Sequence, residues 1–185
     1  MKVLGIVGSP RKNGNTDTVV QKVLEGVAES GAETETIYIN DLNFKGCQGC
    51  GFCNVMPECK IKDDMTGVYK RIEEADGFVF GAPIYFLQFS GQMRLFLDRC
   101  YALVDADLKP RIPVGKKAMI VRSQGDPEKA SYESVSDEFA ETLKTFFGME
   151  IKDGLVVAGF DLPRDVMKDT ELMENAKSAG VHLMD

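Results

Sequence analysis

An α/β fold, with a parallel sheet between two helical layers, is predicted by three features of this 185-residue chain. Strand-like runs at 2–8, 34–39, 77–82, 116–122 and 150–158 alternate with stretches whose apolar residues recur at helical spacing. The first run, Val3 to Gly8, contains no polar residue, as a strand covered on both faces requires. The loop after it, Ser9 to Thr16, is polar, contains glycine and opens directly into an amphipathic segment.

Each helix has its own signal. After Thr16, residues Val19, Val20, Val23, Leu24 and Val27 share one helical face, and Gly31 stands where a helix end favours φ > 0. The same spacing predicts helices over 65–75 (Val68, Tyr69, Ile72), 91–104 (Met93, Phe96, Leu97, Cys100, Leu103) and 132–147 (Val135, Phe139, Leu143, Phe146). A last helix is predicted from Thr170 to about 179, with Asp169 as its cap. Right-handed crossovers bury such helices on both faces of the sheet. Five strands then suggest a flavodoxin-like three-layer sandwich of order 2-1-3-4-5, one domain over 1–185. The segment 42–64 exceeds an ordinary connection, so a Cys-rich insertion after strand two is expected.

Composition narrows the function classes. A net charge of −7 and a pI near 4.9 argue against nucleic acid and anionic membranes as partners, because both reward a basic face. No apolar stretch reaches transmembrane length, and the short N-terminal run is too brief for a signal peptide core. A reducing cytoplasmic setting is expected, in which clustered thiols more often bind metal or do redox chemistry than form disulfides.

In such a sheet, ligands bind at the carboxyl edge where strand order reverses, between strands one and three. Ser9, Arg11, Asn13, Asn15 and Thr16 lie in the loop that leaves strand one there, and the amides of the following helix face an anion with the helix dipole behind them. A Walker A loop fails because five residues separate Gly8 from Gly14 and Asn15 replaces the lysine; the dinucleotide fingerprint fails because Gly5 and Gly8 lack the G-x-G start. A single phosphate group, such as that of FMN, remains; the plain alternative is a polar turn with no ligand. The second wall is Gly81 to Gly91, in which Pro83, Ile84, Tyr85 and Phe86 offer backbone groups and aromatic faces to a flavin ring, although such rings also pack as core or interface. Ser123, Gln124 and Gly125, after strand four, form the third.

Four cysteines, Cys47, Cys50, Cys53 and Cys59, follow a C-x2-C-x2-C-x5-C pattern. That run approaches the bacterial ferredoxin arrangement and favours a [4Fe-4S] cluster over zinc, whose structural sites use two separated pairs. The insertion follows strand two, which predicts that thiols and phosphate loop are neighbours on one rim. Cys100 falls on an apolar helix face and reads as a buried thiol. His182 reads as a solvated terminal residue, and Asp63-Asp64 as the charged start of a helix.

Ser9-Pro-Arg-x-x-Gly-Asn-Thr16, Gly81-Ala-Pro-Ile-Tyr85, the cysteine run and Ile61-Lys-Asp-Asp-Met65 together resemble the iron-sulfur flavoprotein branch of the NADPH-dependent FMN reductase family, over residues 1 to about 125. The resemblance implies FMN, a [4Fe-4S] cluster on the four cysteines, and a homodimer or homotetramer in which a cluster can serve a neighbouring subunit's flavin. It also implies NAD(P)H as a candidate reductant and a ferredoxin-like carrier or small-molecule acceptor as electron partner. Residues 126–185 match no motif of that branch. Two other readings stay open: an FMN or quinone reductase without a working cluster, and a zinc-bearing adaptor or redox-sensing module.

Overall fold

The computed structural model describes residues 1–185. In chain order its elements are β1 (Lys2–Val7), α1 (Asn15–Glu29), β2 (Glu33–Tyr38), the single-turn α2 (Phe52–Val55), α3 (Met65–Glu74), β3 (Gly77–Tyr85) and β4 (Gln88–Phe89). They continue with α4 (Gly91–Arg99), β5 (Lys117–Gln124), α5 (Glu133–Phe147), β6 (Glu150–Ile151), β7 (Leu155–Ala158) and α6 (Thr170–Val181). The sheet runs β2-β1-β3-β5, and both β6 and β7 pair in parallel with the outer side of β5. The expected order 2-1-3-4-5 is therefore present, with the fifth strand in two pieces.

The break in that strand is a bulge. Ala118 faces Ile151 and Val121 faces Leu155, so three residue steps on β5 oppose four on the edge. One surplus residue bends the edge strand and ends continuous pairing. A second departure is the length of β3, which passes the expected end at 82, continues to Tyr85 and folds back antiparallel through β4. Pro83 fits inside it because β1 has already ended opposite Gly81, so its missing N–H removes no ladder bond on that side.

Alternation along the strands splits the core into two. Val3, Val7, Val79, Met119 and Val121 pack with the apolar face of α1 and with Ala176 of α6. Leu4, Ile6, Phe78, Phe80, Ala118 and Ile120 pack with Val68 and Ile72 of α3, Met93 and Phe96 of α4, and Phe139 and Leu143 of α5. The period-two pattern thus places α1 and α6 on one face and α3, α4 and α5 on the other.

Helix ends follow local chemistry. Asp169 Oδ1 accepts from Leu172 N (2.9 Å), the cap read from the sequence. Ser90 Oγ accepts from Met93 N (3.4 Å) and donates to Gly8 O (2.7 Å), which ties the start of α4 to the end of β1. The predicted 91–104 helix is α-helical only to Arg99 and tightens into a 3-10 turn over Cys100–Leu103. No helix is long and apolar enough to cross a membrane.

The two helices on the first face touch backbone to backbone. A side-chain carbon at Gly180 of α6 would strike the carbonyl oxygen of Val23 in α1. Gly180→Ala should therefore lower stability by about 1–3 kcal/mol through overpacking, even though alanine is the better helix former by about 1 kcal/mol. Urea unfolding should show a lower midpoint at unchanged slope; an equal or higher midpoint would mean that the helices do not meet at this position.

Candidate functional site

At the carboxyl edge of the sheet a cavity of about 240 Å³ lies between the ends of β1, β3, β5 and β7. Ser9, Arg11, Asn15, Thr16, Pro83, Ile84, Tyr85, Ser123, Gln124 and Gly125 all line it. Asn13 and Phe86 are outside the lining.

The β1–α1 loop is held in a defined shape. Ser9 Oγ accepts from Arg11 N (3.2 Å), and Gly14 N donates to Arg11 O (3.1 Å). Asn13 is left-handed (φ 57°), and its N–H donates to Asp17 Oδ2 (2.7 Å). Buried Asp17 also accepts from Gln21 and from the Tyr38 hydroxyl (both 3.2 Å). Its charge is thereby spent on shaping the loop. No side chain caps α1, so the first-turn amides are left for another acceptor. Beside them, Thr16 Oγ1 and Ser123 Oγ lie 2.5 Å apart, both buried, and join the loop to the end of β5. Uncapped amides, two buried hydroxyls and the exposed Arg11 form a donor set suited to an anion.

Two of the expected ligands have their side chains engaged elsewhere. Asn15 Nδ2 donates to Phe160 O (3.2 Å) and Leu162 O (3.0 Å), and its Oδ1 accepts from Val166 N (3.2 Å). Gln124 donates to Asp126 O (3.2 Å) and Glu128 O (2.7 Å) and accepts from buried Arg122 (3.0 Å). Asn15 thereby brings up a wall the sequence did not announce, Phe160, Asp161 and Pro163, with Val157 beneath. The opposite lip is the β3–β4 hairpin, whose turn residues Phe86 and Leu87 are both left-handed (φ 48° and 64°) and highly exposed. Turns of this kind normally use Asn-Gly, so two large apolar residues there store strain.

The cysteine segment leaves β2 at the same edge but does not remain there. Gly46 lies against Leu95, and Lys45 O accepts from Arg99 Nη1 (2.5 Å), so the chain runs down α4 toward its carboxyl end. Ser90 fixes the other end of α4 at the rim, and nine residues of helix separate the two by about 13 Å. The expectation that thiols and phosphate loop sit side by side on one rim is corrected: the segment starts there, and its thiols sit at the foot of α4. The cause is Arg99, which is buried and draws the neck of the segment to itself. Its Nη1 and Nη2 donate to the two Asp63 oxygens (2.7 and 3.0 Å). Asp63 accepts further from Lys45 N (3.2 Å) and Met65 N (3.1 Å), and Asp64 accepts from Asn43 N (2.7 Å). Both strands of the neck are thus bound to each other and to α4. Asp63 serves the α3 start as read from the sequence, while its ion pair with Arg99 was not foreseen; a charge three residues after Phe96, on a buried stripe, was the available signal.

Beyond the neck, Cys47, Cys50, Cys53 and Cys59 line one cavity of about 220 Å³ with Arg99, Tyr101 and Ala102. Gly49 and Gly51, both left-handed (φ 59° and 67°), turn the chain between the first three sulfurs, and Cys53 rides on α2. Burial pushes the Cys53 thiol up, and Cys59, Cys47 and Cys50 are close enough to push it further. No three of the sulfurs come together as ligands of one ion. Arg99 Nε is shielded from solvent and has no hydrogen-bond partner. Cys100 faces the core, where burial pushes its thiol up to about 12. Exposed His182 pairs only with Asp185 (2.8 Å).

Comparison with known proteins gives a consistent set of likenesses. The family model described as NADPH-dependent FMN reductase matches residues 1–158. An iron-sulfur flavoprotein of Methanocaldococcus jannaschii is 43% identical over 99 residues, 54% of this chain and 51% of that protein. An iron-sulfur flavoprotein of Methanosarcina thermophila is 31% identical over 137 residues, 74% of this chain and 72% of that one. The chain thus spans about half the length of the first of these relatives. Among solved structures, an NAD(P)H:quinone oxidoreductase from Methanothermobacter marburgensis superimposes with a TM-score of 0.80 at 20% identity, covering 100% of this chain and 96% of that one; it shares the fold.

The Asp63 carboxyl is held below its ordinary value, first by the hydrogen bond from Arg99. A depressed folded-state pKa contributes stability above the unfolded value of about 3.9 and loses it as pH falls through the folded value. Asp63→Asn should therefore cost about 3 kcal/mol at neutral pH, and much less in acid below the folded value, where the wild-type pair is itself dissolved. Urea titrations at both pH values check this; an equal cost at both would contradict it.

Proposed function

We propose, from the premise that the chain belongs to the NADPH-dependent FMN reductase family, that it is an FMN-dependent oxidoreductase that passes electrons between its flavin and a [4Fe-4S] cluster. A bound FMN accepts two electrons and releases them singly, and a cluster stores one at a time. The observation that carries the reading is the presence, in one chain, of an uncapped helix N-terminus with buried hydroxyls and a separate ring of four thiols.

The residues fit both groups. The amides that open α1, with Ser9, Thr16 and Arg11, would hold the FMN phosphate, and Ser123 braces Thr16 from β5. Asp161, on the far wall, would offer acceptors to hydroxyls of the ribityl chain. The hairpin at Tyr85, Phe86 and Leu87 supplies apolar cover at the lip, which gives its strained turn a use. For the thiols, one zinc ion would draw four sulfurs to within about 3.8 Å of one another, given Zn–S bonds of about 2.3 Å. The support for a polynuclear cluster is that all four thiols of the C-x2-C-x2-C-x5-C run line one cavity.

Because α4 separates the ring from its own chain's cradle, the reading includes assembly as a homodimer or homotetramer in which the ring of one copy faces the rim of another. NAD(P)H is the proposed reductant, and a ferredoxin-like carrier or small acceptor the electron partner. The cytoplasm is the proposed compartment, since it keeps the thiols reduced.

Anaerobically purified and reconstituted protein should contain about one FMN with roughly four iron and four sulfide per chain, and Cys50→Ala should lose the iron while keeping the flavin. Flavin without iron would select a reductase lacking a cluster, and zinc without flavin an adaptor. Thr16→Val should weaken FMN binding about tenfold, the worth of one hydrogen bond near 1.4 kcal/mol; fluorescence titration with unchanged affinity would remove Thr16 from the site.

A further inference from the structure

We infer that Arg99 belongs to the sulfur site itself, and that its Nε–H is a hydrogen-bond donor to the group the four thiols hold. This rests on the reading that Cys47, Cys50, Cys53 and Cys59 bind an iron-sulfur cluster. A guanidinium offers five N–H bonds along distinct edges of one plane. Asp63 occupies the edge made by Nη1 and Nη2, and Lys45 O takes a further Nη1 proton. The edge that includes Nε is left over, and Nε is both shielded from solvent and unpartnered. Buried donors without acceptors are rare because the desolvation of the group goes uncompensated.

Arg99 is 1% exposed and stands in the wall of the thiol cavity; the neighbouring Tyr69 hydroxyl donates to Arg99 O (3.0 Å) and does not partner Nε, which leaves an acceptor bound by the thiols as the partner we assign. Thiolate and sulfide sulfurs are such acceptors, and hydrogen bonds to them are among the factors that set cluster potentials. Each one-electron reduction adds one negative charge to the cluster, and a donor at its sulfur favours that reduced form. Asp63 cancels most of the guanidinium's net charge. The effect therefore depends on the N–H itself, and lysine, which keeps the charge, lacks a donor at that point.

The test uses the full chain, reconstituted without oxygen, as wild type and Arg99→Lys, with iron and sulfide assayed and the cluster titrated electrochemically. The expected result is a more negative midpoint in the variant, measured on the fraction of chains that carry iron. An unchanged midpoint would remove Arg99 from the site and leave the cluster reading intact. A wild type that takes up neither iron nor sulfide would overturn both. Should Arg99→Lys fail to fold, wild-type protein carrying guanidino-15N arginine gives the answer by pulsed paramagnetic resonance after dithionite reduction. A 15N coupling to the cluster supports the assignment, and its absence overturns it.

Discussion

A guanidinium taken out of water must be paired, and the pairing of Arg99 with Asp63 governs where the four-cysteine segment of this molecule lies. Arg99 ends α4, Asp63 opens α3, and the cysteine segment is strung between the two partners' neighbourhoods. One ion pair, reinforced by Lys45 and Met65 amides on the same carboxylate, closes that segment at its neck. Phe44 adds its ring face, 6.0 Å from the guanidinium carbon. With the neck closed, the chain beyond it has only to turn, and two left-handed glycines let it do so between sulfurs.

The cradle at the rim obeys a different constraint. Parallel strands deliver all their strand-to-helix connections to one edge, so residues far apart in sequence meet without any special contact. Thr16 and Ser123 meet in this way, 107 positions apart. Polar side chains around them are used mainly to fix backbone: Asp17 shapes the loop, Asn15 holds the far wall, and Gln124 with Arg122 orders the turn after β5. What is left pointing at a ligand is a small set of hydroxyls and amides, preorganised by those neighbours. The two centres thus differ in kind, one given by topology and the other by a single long-range pair. They stand at opposite ends of α4.

Much of this was legible in the sequence, for reasons that are local. Strands buried on both faces must be apolar throughout, and α1 must place Val19, Val20, Val23, Leu24 and Val27 on one stripe; both patterns survive in the folded chain. The cysteine spacing and the polar β1–α1 loop were readable because each is contiguous. The features that escaped depend on partners without a contiguous signature. Asn15 binds backbone carbonyls more than a hundred residues away, and any residue carries a carbonyl. Phe86-Leu87 hides a turn that Asn-Gly would have advertised. Arg99 and Asp63 are 36 positions apart, so the descent of the cysteine segment along α4 could not be foreseen from either end.

The most direct test is an iron-edge anomalous difference map from crystals grown without oxygen. One compact iron peak at the foot of α4, enclosed by Cys47, Cys50, Cys53 and Cys59 with Asp63 still gripping Arg99, is the expected map. Iron bound elsewhere, or a thiol segment lifted off α4 with the Asp63–Arg99 pair open, would contradict the account.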